Sequence, residues 1–435
     1  MRYQDVFVPG GFPRLTYNPR AELQLEEKLA EAKDNLCKLV TVTGQTKSGK
    51  TVLTKKVFPR EDAVWIDGGI VSVEEDFWDS IIEQLNLFQS TDKETSNEVD
   101  TTFGGKAIAE ANFLVAKGSG EVKAEIGTAR GSATTSGQQL SSRVVATRGL
   151  SENKIPLIAD DFHYIPRDMQ GNIIRVLKPL IFEGLPAVII AIPHRRYDAM
   201  KVEREMTGRI SAVEIQPWSA SELEFIPHTG FQLLNHSVPA WLGGRLASES
   251  IGSPHLMQDF CRGLCGLLGL NQAAGLIELQ VSDDQLTTVF RGVADTIGRP
   301  MFEKLARGPR QRSDRLPREL KDGRTVDIYG LVLQGLAHIR PALVSIEYEE
   351  LRAAIREVSS GQIPQLQEIA RVLKHMSTIA ATDQSSTPVL DFEEEDKKLH
   401  VTDPFFAFYL RWGELTSTAT ADRPIQRKLA PGSEP

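Results

Sequence analysis

The chain has 435 residues, 41% hydrophobic and 25% charged, which is ordinary globular material long enough for two or three domains. A net charge of −8 excludes a whole-molecule attraction to nucleic acid or anionic membrane, so any basic patch must be local. The N-terminal stretch lacks a signal-peptide core and no apolar run reaches the roughly 18 residues needed to span a bilayer. With only three cysteines there is no disulfide framework, Cys261 and Cys265 read as core thiols, and a cytoplasmic protein with no membrane contact is expected.

In chain order, the first strong signal is Lys38 to Thr43, a short β-branched run of buried-strand type. Gly44, Gln45, Thr46, Lys47, Ser48, Gly49, Lys50 and Thr51 follow, fitting G-x-x-x-x-G-K-[ST] at every fixed position, and Val52 leads into a helix-like stretch. The glycines let the backbone curl until successive N–H groups face a phosphate, backed by the positive end of the helix. Lys50 would reach the β- and γ-phosphates of ATP, and the Thr51 hydroxyl would hold Mg²⁺. The competing reading is a glycine-rich turn before a helix, which the flanking strand and helix disfavour.

Residues 88–150 are rich in Gly, Ala, Ser and Thr and read as an insertion, either a hairpin around "VKAEIG" and "NFLVAK" or a flexible linker. Removing it brings the two nucleotide motifs to an ordinary spacing. The second motif is "IPLIADD", where a strand ends on adjacent carboxylates that repel one another and need a cation nearby. Asp160 would face the Mg²⁺ and Asp161 would orient or deprotonate the attacking water; a solvated acidic loop is the alternative.

A helical span from 168 to 184 leads to a third strand, 186–193, followed by Arg195 and Arg196. These would sense the γ-phosphate or form a surface pair. Arg209 precedes a further short strand, 212–215, where it would serve a neighbouring subunit's nucleotide or a local ion pair. Pro254, in "GSP", is a first-turn helix proline and also stands where a helical lid would touch adenine.

The region 283–323 reads as a charged connector, its Arg307–Arg324 strip the most basic stretch of the chain. Three helical patterns, 326–339, 348–358 and 363–381, and two short strands around an acidic turn then make a winged helix-turn-helix. Arg371, Lys374 and His375 on the candidate recognition helix are diluted by Gln365, Gln367 and Glu368. The wing's Glu393, Glu394, Glu395 and Asp396 would oppose DNA phosphates, so nucleic-acid contact is disfavoured. Residues 416–435 read as a disordered tail.

Gly44–Thr51, "LIADDFHYI", "PHRR" and "GSP", in this order, resemble a STAND-type ATPase, the AAA+-related class of signalling switches. "YNPRAELQLEEKL" is similar to the arginine-acid segment that opens such modules, with Asn18-Pro19 in place of the usual glycine. "LHVTDPFFAFYLRW" is similar to the wing and closing helix behind related prokaryotic switch ATPases.

The resemblance implies an α/β fold: a P-loop NTPase core of parallel strands with flanking helices (1–216), a helical lid (217–282), the connector (283–323) and a C-terminal winged helix (324–415). It places Arg20 near the nucleotide. It also implies an ATP-binding and ATP-hydrolysing switch whose nucleotide state controls oligomerisation and the activation of a partner, with a homo-oligomer, a separate effector chain and a bacterial antiviral setting as expectations. A DNA-binding ATPase of origin-recognition or transposition-helper type is the alternative, and a nucleotide-holding scaffold without hydrolysis a third reading.

Overall fold

A computed structural model describes residues 1–87, 90–91, 138–139, 141–192, 208–309, 315–341, 345–381, 388–394 and 396–415. Five strands, β1 (Leu39–Gly44), β2 (Val64–Asp67), β3 (Leu157–Asp160), β4 (Ala187–Ala191) and β5 (Ile210–Ile215), pair in the order β2-β3-β4-β1-β5. Every neighbouring pair is parallel. Strands of such a sheet are covered on both faces, which is why they read as continuous apolar runs instead of alternating ones. All six residues of β1 are buried.

One face is closed by α1 (Lys50–Val57) and the short helix Leu25–Ala30, with Leu29, Leu53 and Val57 meeting Val40, Val42, Ile158 and Val188. The other is closed by α2 (Glu74–Gln84), α3 (Ser142–Asn153) and α4 (Arg167–Phe182) through Phe77, Ile81, Leu150, Ile173 and Leu177. The carboxyl ends of β1 and β3 straddle β4, and in open α/β sheets such a crevice is where ligands bind.

Beyond the sheet, α5 (Ala220–Leu233), α6 (Ala240–Glu249) and α7 (Pro254–Leu268) form a helical layer. α7 is stopped by Gly269 in the left-handed region and buries Cys261 and Cys265. The same apolar core continues through α8 (Asp283–Ile297) and α9 (Arg299–Arg307). It takes in α10 (Ile328–Ile339), α11 (Tyr348–Val358), α12 (Leu366–Ala381) and α13 (Pro404–Trp412). An antiparallel sheet of β6 (Ser345–Glu347), β7 (Leu390–Glu393) and β8 (Lys398–Val401), ordered β6-β8-β7, completes the C-terminal unit. Phe260 of α7 meets Phe290 of α8 at 4.8 Å and Phe408 of α13 at 5.0 Å between ring centres, so three segments distant in sequence share one aromatic cluster.

Two expectations are corrected. The span 88–150 is not all insertion: α3 begins at Ser142 and buries Val145, Ala146 and Leu150 against the sheet-covering layer, so the core resumes there. The span 283–323 is not a solvated connector: α8 and α9 occupy 283–307 and bury Leu286, Val289, Phe290, Phe302 and Leu305 at helical spacing beneath a charged outer face. The expected hairpin at "VKAEIG", the tail 416–435 and residues 310–314 of the basic strip lie outside the described residues. Among the described residues no helix is long and apolar enough to cross a membrane.

Candidate functional site

The site grows from the end of β1. Gly44 closes the strand, the loop turns through Gln45–Ser48, and Gly49 at φ 93° hands the chain to α1, a conformation that costs an L side chain dearly. No side chain caps the start of α1, so its first N–H groups remain for an anion.

Lys50 is only 8% exposed, and its Nζ donates to the Gly44 and Gln45 carbonyls at 3.0 and 2.8 Å. Burial pulls its pKa down to about 8, while the charges of Asp161 and Asp160 oppose that shift. The adjacent aspartates at the tip of β3 therefore have their cation. The Thr51 hydroxyl donates to Asp160 Oδ1 at 3.2 Å, and the Asp161 N–H donates to the same oxygen at 3.0 Å. Asp160 is raised by burial. Asp161, at φ 50°, is raised to about 6 by burial and then by Asp160, with Lys50 holding it down.

These groups open into a cavity of about 500 Å³, within the range of small-ligand sites. Its walls include the N-terminal segment from Val8 to Arg20, the phosphate-type loop, the aspartates at the tip of β3, the start of α7 with Pro254, His255 and Gln258, and Trp218 after β5. Gln258, 4% exposed, joins two of these walls. Its Oε1 accepts from Val8 N at 3.1 Å and its Nε2 donates to Thr16 Oγ1 at 2.7 Å.

Pro254 is the first residue of α7, behind the Ser253 cap, and lines the cavity as well. His255 is lowered to about 4 by burial and by Lys47, so its 3.6 Å approach to Asp259 is no ion pair at neutral pH.

Arg20 is at the cavity wall, 6% exposed, but its guanidinium is engaged inward. Nε and Nη2 fork onto Glu222 at 2.7 and 3.1 Å, and Nη1 and Nη2 donate to the Gln216 and Pro217 carbonyls at 2.9 and 3.2 Å. The guanidinium carbon also stacks 4.8 Å from the Trp218 ring centre.

Arg209 is not brought to its own loop. Its carbonyl accepts from Leu39 N at the start of β1, about 16 Å of strand below Gly44. Its guanidinium lies 5.3 Å from the Phe182 ring, which is 63% exposed. Arg195 and Arg196 lie outside the described residues. The N-terminal loop, Gln258 and Trp218 were not anticipated from sequence; the "PGGF" turn at 9–12 was the one local sign that the N-terminus folds back.

The donor set suits Mg²⁺. Thr51 and Asp160 offer hard oxygens side by side, and Mg²⁺ beside phosphates needs only one or two protein ligands.

No family model matches the chain and no curated protein matches it. Among solved structures, a Walker-type ATPase of Pyrococcus abyssi is similar at 14% identity over 89% of this chain and 94% of that one, with a TM-score of 0.48. The ORC1 protein of Aeropyrum pernix in complex with DNA is similar at 12% identity over 94% and 95%, TM-score 0.44. A STAND protein with a tetratricopeptide repeat sensor from Pyrococcus horikoshii is similar at 13% identity over 90% of this chain but 42% of that one, TM-score 0.34. On its own geometry, a parallel sheet with flanking helices, a glycine loop entering α1 and carboxylates at the tip of β3, this chain has a P-loop NTPase core.

Proposed function

We propose that this is an ATP-binding and ATP-hydrolysing switch of the AAA+-related, STAND type, in which the C-terminal unit, read as a winged helix, responds to the nucleotide. One observation carries the reading: the start of α13 abuts the phosphate loop. Lys47 Nζ lies 5.3 Å from the Phe405 ring centre, and His255 of α7 meets the same ring edge-on at 4.9 Å. The half-buried Asp403 caps α13 by accepting from Phe405 N and Phe406 N at 2.7 and 3.0 Å. The far end of α13 is clamped to α6, where Trp412 Nε1 donates to Glu249 Oε2 at 2.8 Å. A ligand drawing on Lys47 would therefore disturb the α13 contact at its root.

In this reading the loop N–H groups and Lys50 bind the phosphates, Lys50 exchanging the Gly44 and Gln45 carbonyls for phosphate oxygens. Thr51 and Asp160 hold Mg²⁺, which when bound neutralises charge on the phosphates. Asp161, ionised above about pH 6, accepts a proton from the attacking water. Arg195 and Arg196 would sense the γ-phosphate, a role that rests on their place in the sequence alone. The N-terminal loop, Pro254 and Gln258 would enclose the base. A neighbouring subunit's Arg209 would complete the site, and the effector would be a separate chain; the antiviral setting rests on family resemblance.

The DNA-binding alternative is less favoured because basic groups in the described part of the strip already have acidic partners. Arg315 pairs with Asp327 at 2.5 Å, Arg318 with Glu368 at 3.7 Å and Arg324 with Asp322 at 2.6 Å. On the candidate recognition helix Lys374 pairs with Glu394 at 2.8 Å and His375 Nδ1 meets Tyr329 OH at 2.7 Å.

The test is mass photometry of Asp161→Asn with Mg·ATP or ADP, with and without duplex DNA. A larger species formed with ATP alone supports the switch. Assembly that requires DNA, and weakens steeply with salt, favours the alternative.

A further inference from the structure

We infer that Trp218 is a positioning residue for the phosphate loop: its indole N–H holds the Ser48–Gly49 peptide so that the Gly49 N–H faces away from Trp218, toward the bound anion. The contact is direct, Trp218 Nε1 donating to the Ser48 carbonyl at 2.9 Å. A trans peptide carries its C=O and N–H in opposite directions on one rigid plane, so fixing the oxygen fixes the hydrogen. Gly49 sits at φ 93°, next to no capping side chain, and among the described residues it is Trp218 that holds this carbonyl. Without the indole, the peptide is free to rotate and the loop binds its ligand only after being re-ordered, which lowers affinity.

Trp218 is itself immobilised from two sides. Arg20 stacks on its face at 4.8 Å while forking onto Glu222 and bonding the carbonyls of Gln216 and Pro217, the two residues before it. Glu222 Oε2 also accepts from Ser219 N at 2.7 Å, closing the cap of α5 on the residue after it. Arg20, Glu222 and Trp218 thus join the end of β5, the start of the helical layer and the phosphate loop into one rigid piece. Arg20 acts on the ligand through Trp218, not by touching it.

The ligand side of this inference rests on the nucleotide reading, whereas the loop side does not, and the experiment separates them. Trp218→Phe keeps a ring for Arg20 to stack on and removes only the donor; Arg20→Lys keeps the charge and removes the fork. Hydrogen exchange of the full-length protein without nucleotide is followed across residues 44–51 and, as a reference, across β3 and α4. Trp218→Phe is expected to speed exchange in the loop by about 3- to 10-fold, the worth of one net hydrogen bond, with the reference unchanged, and Arg20→Lys to speed the loop by more than the reference. A fluorescent ADP analogue should then bind Trp218→Phe weaker by a similar factor. Unchanged loop exchange in both variants overturns the inference, as does equal loosening of loop and reference, which would make the cluster merely structural. Faster loop exchange in a protein whose wild type binds no nucleotide upholds the positioning role and overturns the proposed function.

Discussion

The Lys47 ammonium of the phosphate loop lies 5.3 Å from the centre of the Phe405 ring in the last helix, so a residue that would meet phosphate is already in contact with the C-terminal unit. Its charge is felt further, lowering His255 after burial has done so and opposing the burial-driven rise of Asp403. Phe405→Ala and Lys47→Met should each speed hydrogen exchange across 404–412 in the nucleotide-free protein. A cation–π contact worth about 0.5–2 kcal/mol predicts roughly 2- to 30-fold. The double variant should fall short of the sum, because both changes remove the same contact.

Hydrolysis should follow a bell-shaped pH profile. Burial raises Asp161 to about 6 and lowers Lys50 to about 8 in the free protein. A base must be ionised, so kcat/KM rises as pH passes 6; the lysine must be protonated, so it falls as pH passes 8. Phosphate release from pH 5 to 9.5 checks both limbs. Asp161→Asn should cut kcat by about 10²- to 10⁴-fold while leaving nucleotide binding in place.

Gly68→Ala should disable the site without touching a ligand. A Cβ at position 68, just after β2, would run into the Asp161 carbonyl, which is backbone and has no rotamer to escape into. Overpacking of this kind costs about 1–3 kcal/mol. The displaced Asp161 should show as a loss of hydrolysis larger than the loss of thermal stability.

Arg20→Ala should destabilise the whole chain. It removes the cation of the Glu222 carboxylate, which keeps only its Ser219 donors, and strands the Gln216 and Pro217 carbonyls. Fully buried pairs cost about 3–5 kcal/mol to break; Glu222 keeps 24% exposure, so about 2–3 kcal/mol is expected from chemical denaturation.

What could be read from the sequence follows the range of each interaction. The loop at Gly44–Thr51 is legible because its spacing and its glycines are demanded by backbone geometry within a few residues. Asp160 and Asp161 are legible because adjacent carboxylates after an apolar strand ask for a cation, and Lys50 supplies it. The cavity's other walls were hidden: Trp218 meets Ser48, Arg20 meets Glu222 and Gln258 meets Thr16 only once the chain has folded, and no local pattern announces such pairs. α8 and α9 were masked by their charged outer faces. α3 was masked because Gly, Ser and Thr within it resemble linker composition, while its four buried positions do the packing.

The parallel sheet also gives the molecule two unlike poles. The phosphate loop lies at the carboxyl end of β1 and Arg209 at the amino end of β5, with Phe182 beside it in the open. An Arg209 that serves a neighbour's pocket must therefore join one pole of a subunit to the opposite pole of the next. Two copies stacked end to end about a two-fold axis would bring like pole to like pole; an exchange of Arg209 in a two-fold dimer would need the copies side by side and antiparallel. Head-to-tail contact instead propagates, closing into a ring or running on as a filament, and an open assembly leaves an incomplete pocket at one end and an unused Arg209 at the other.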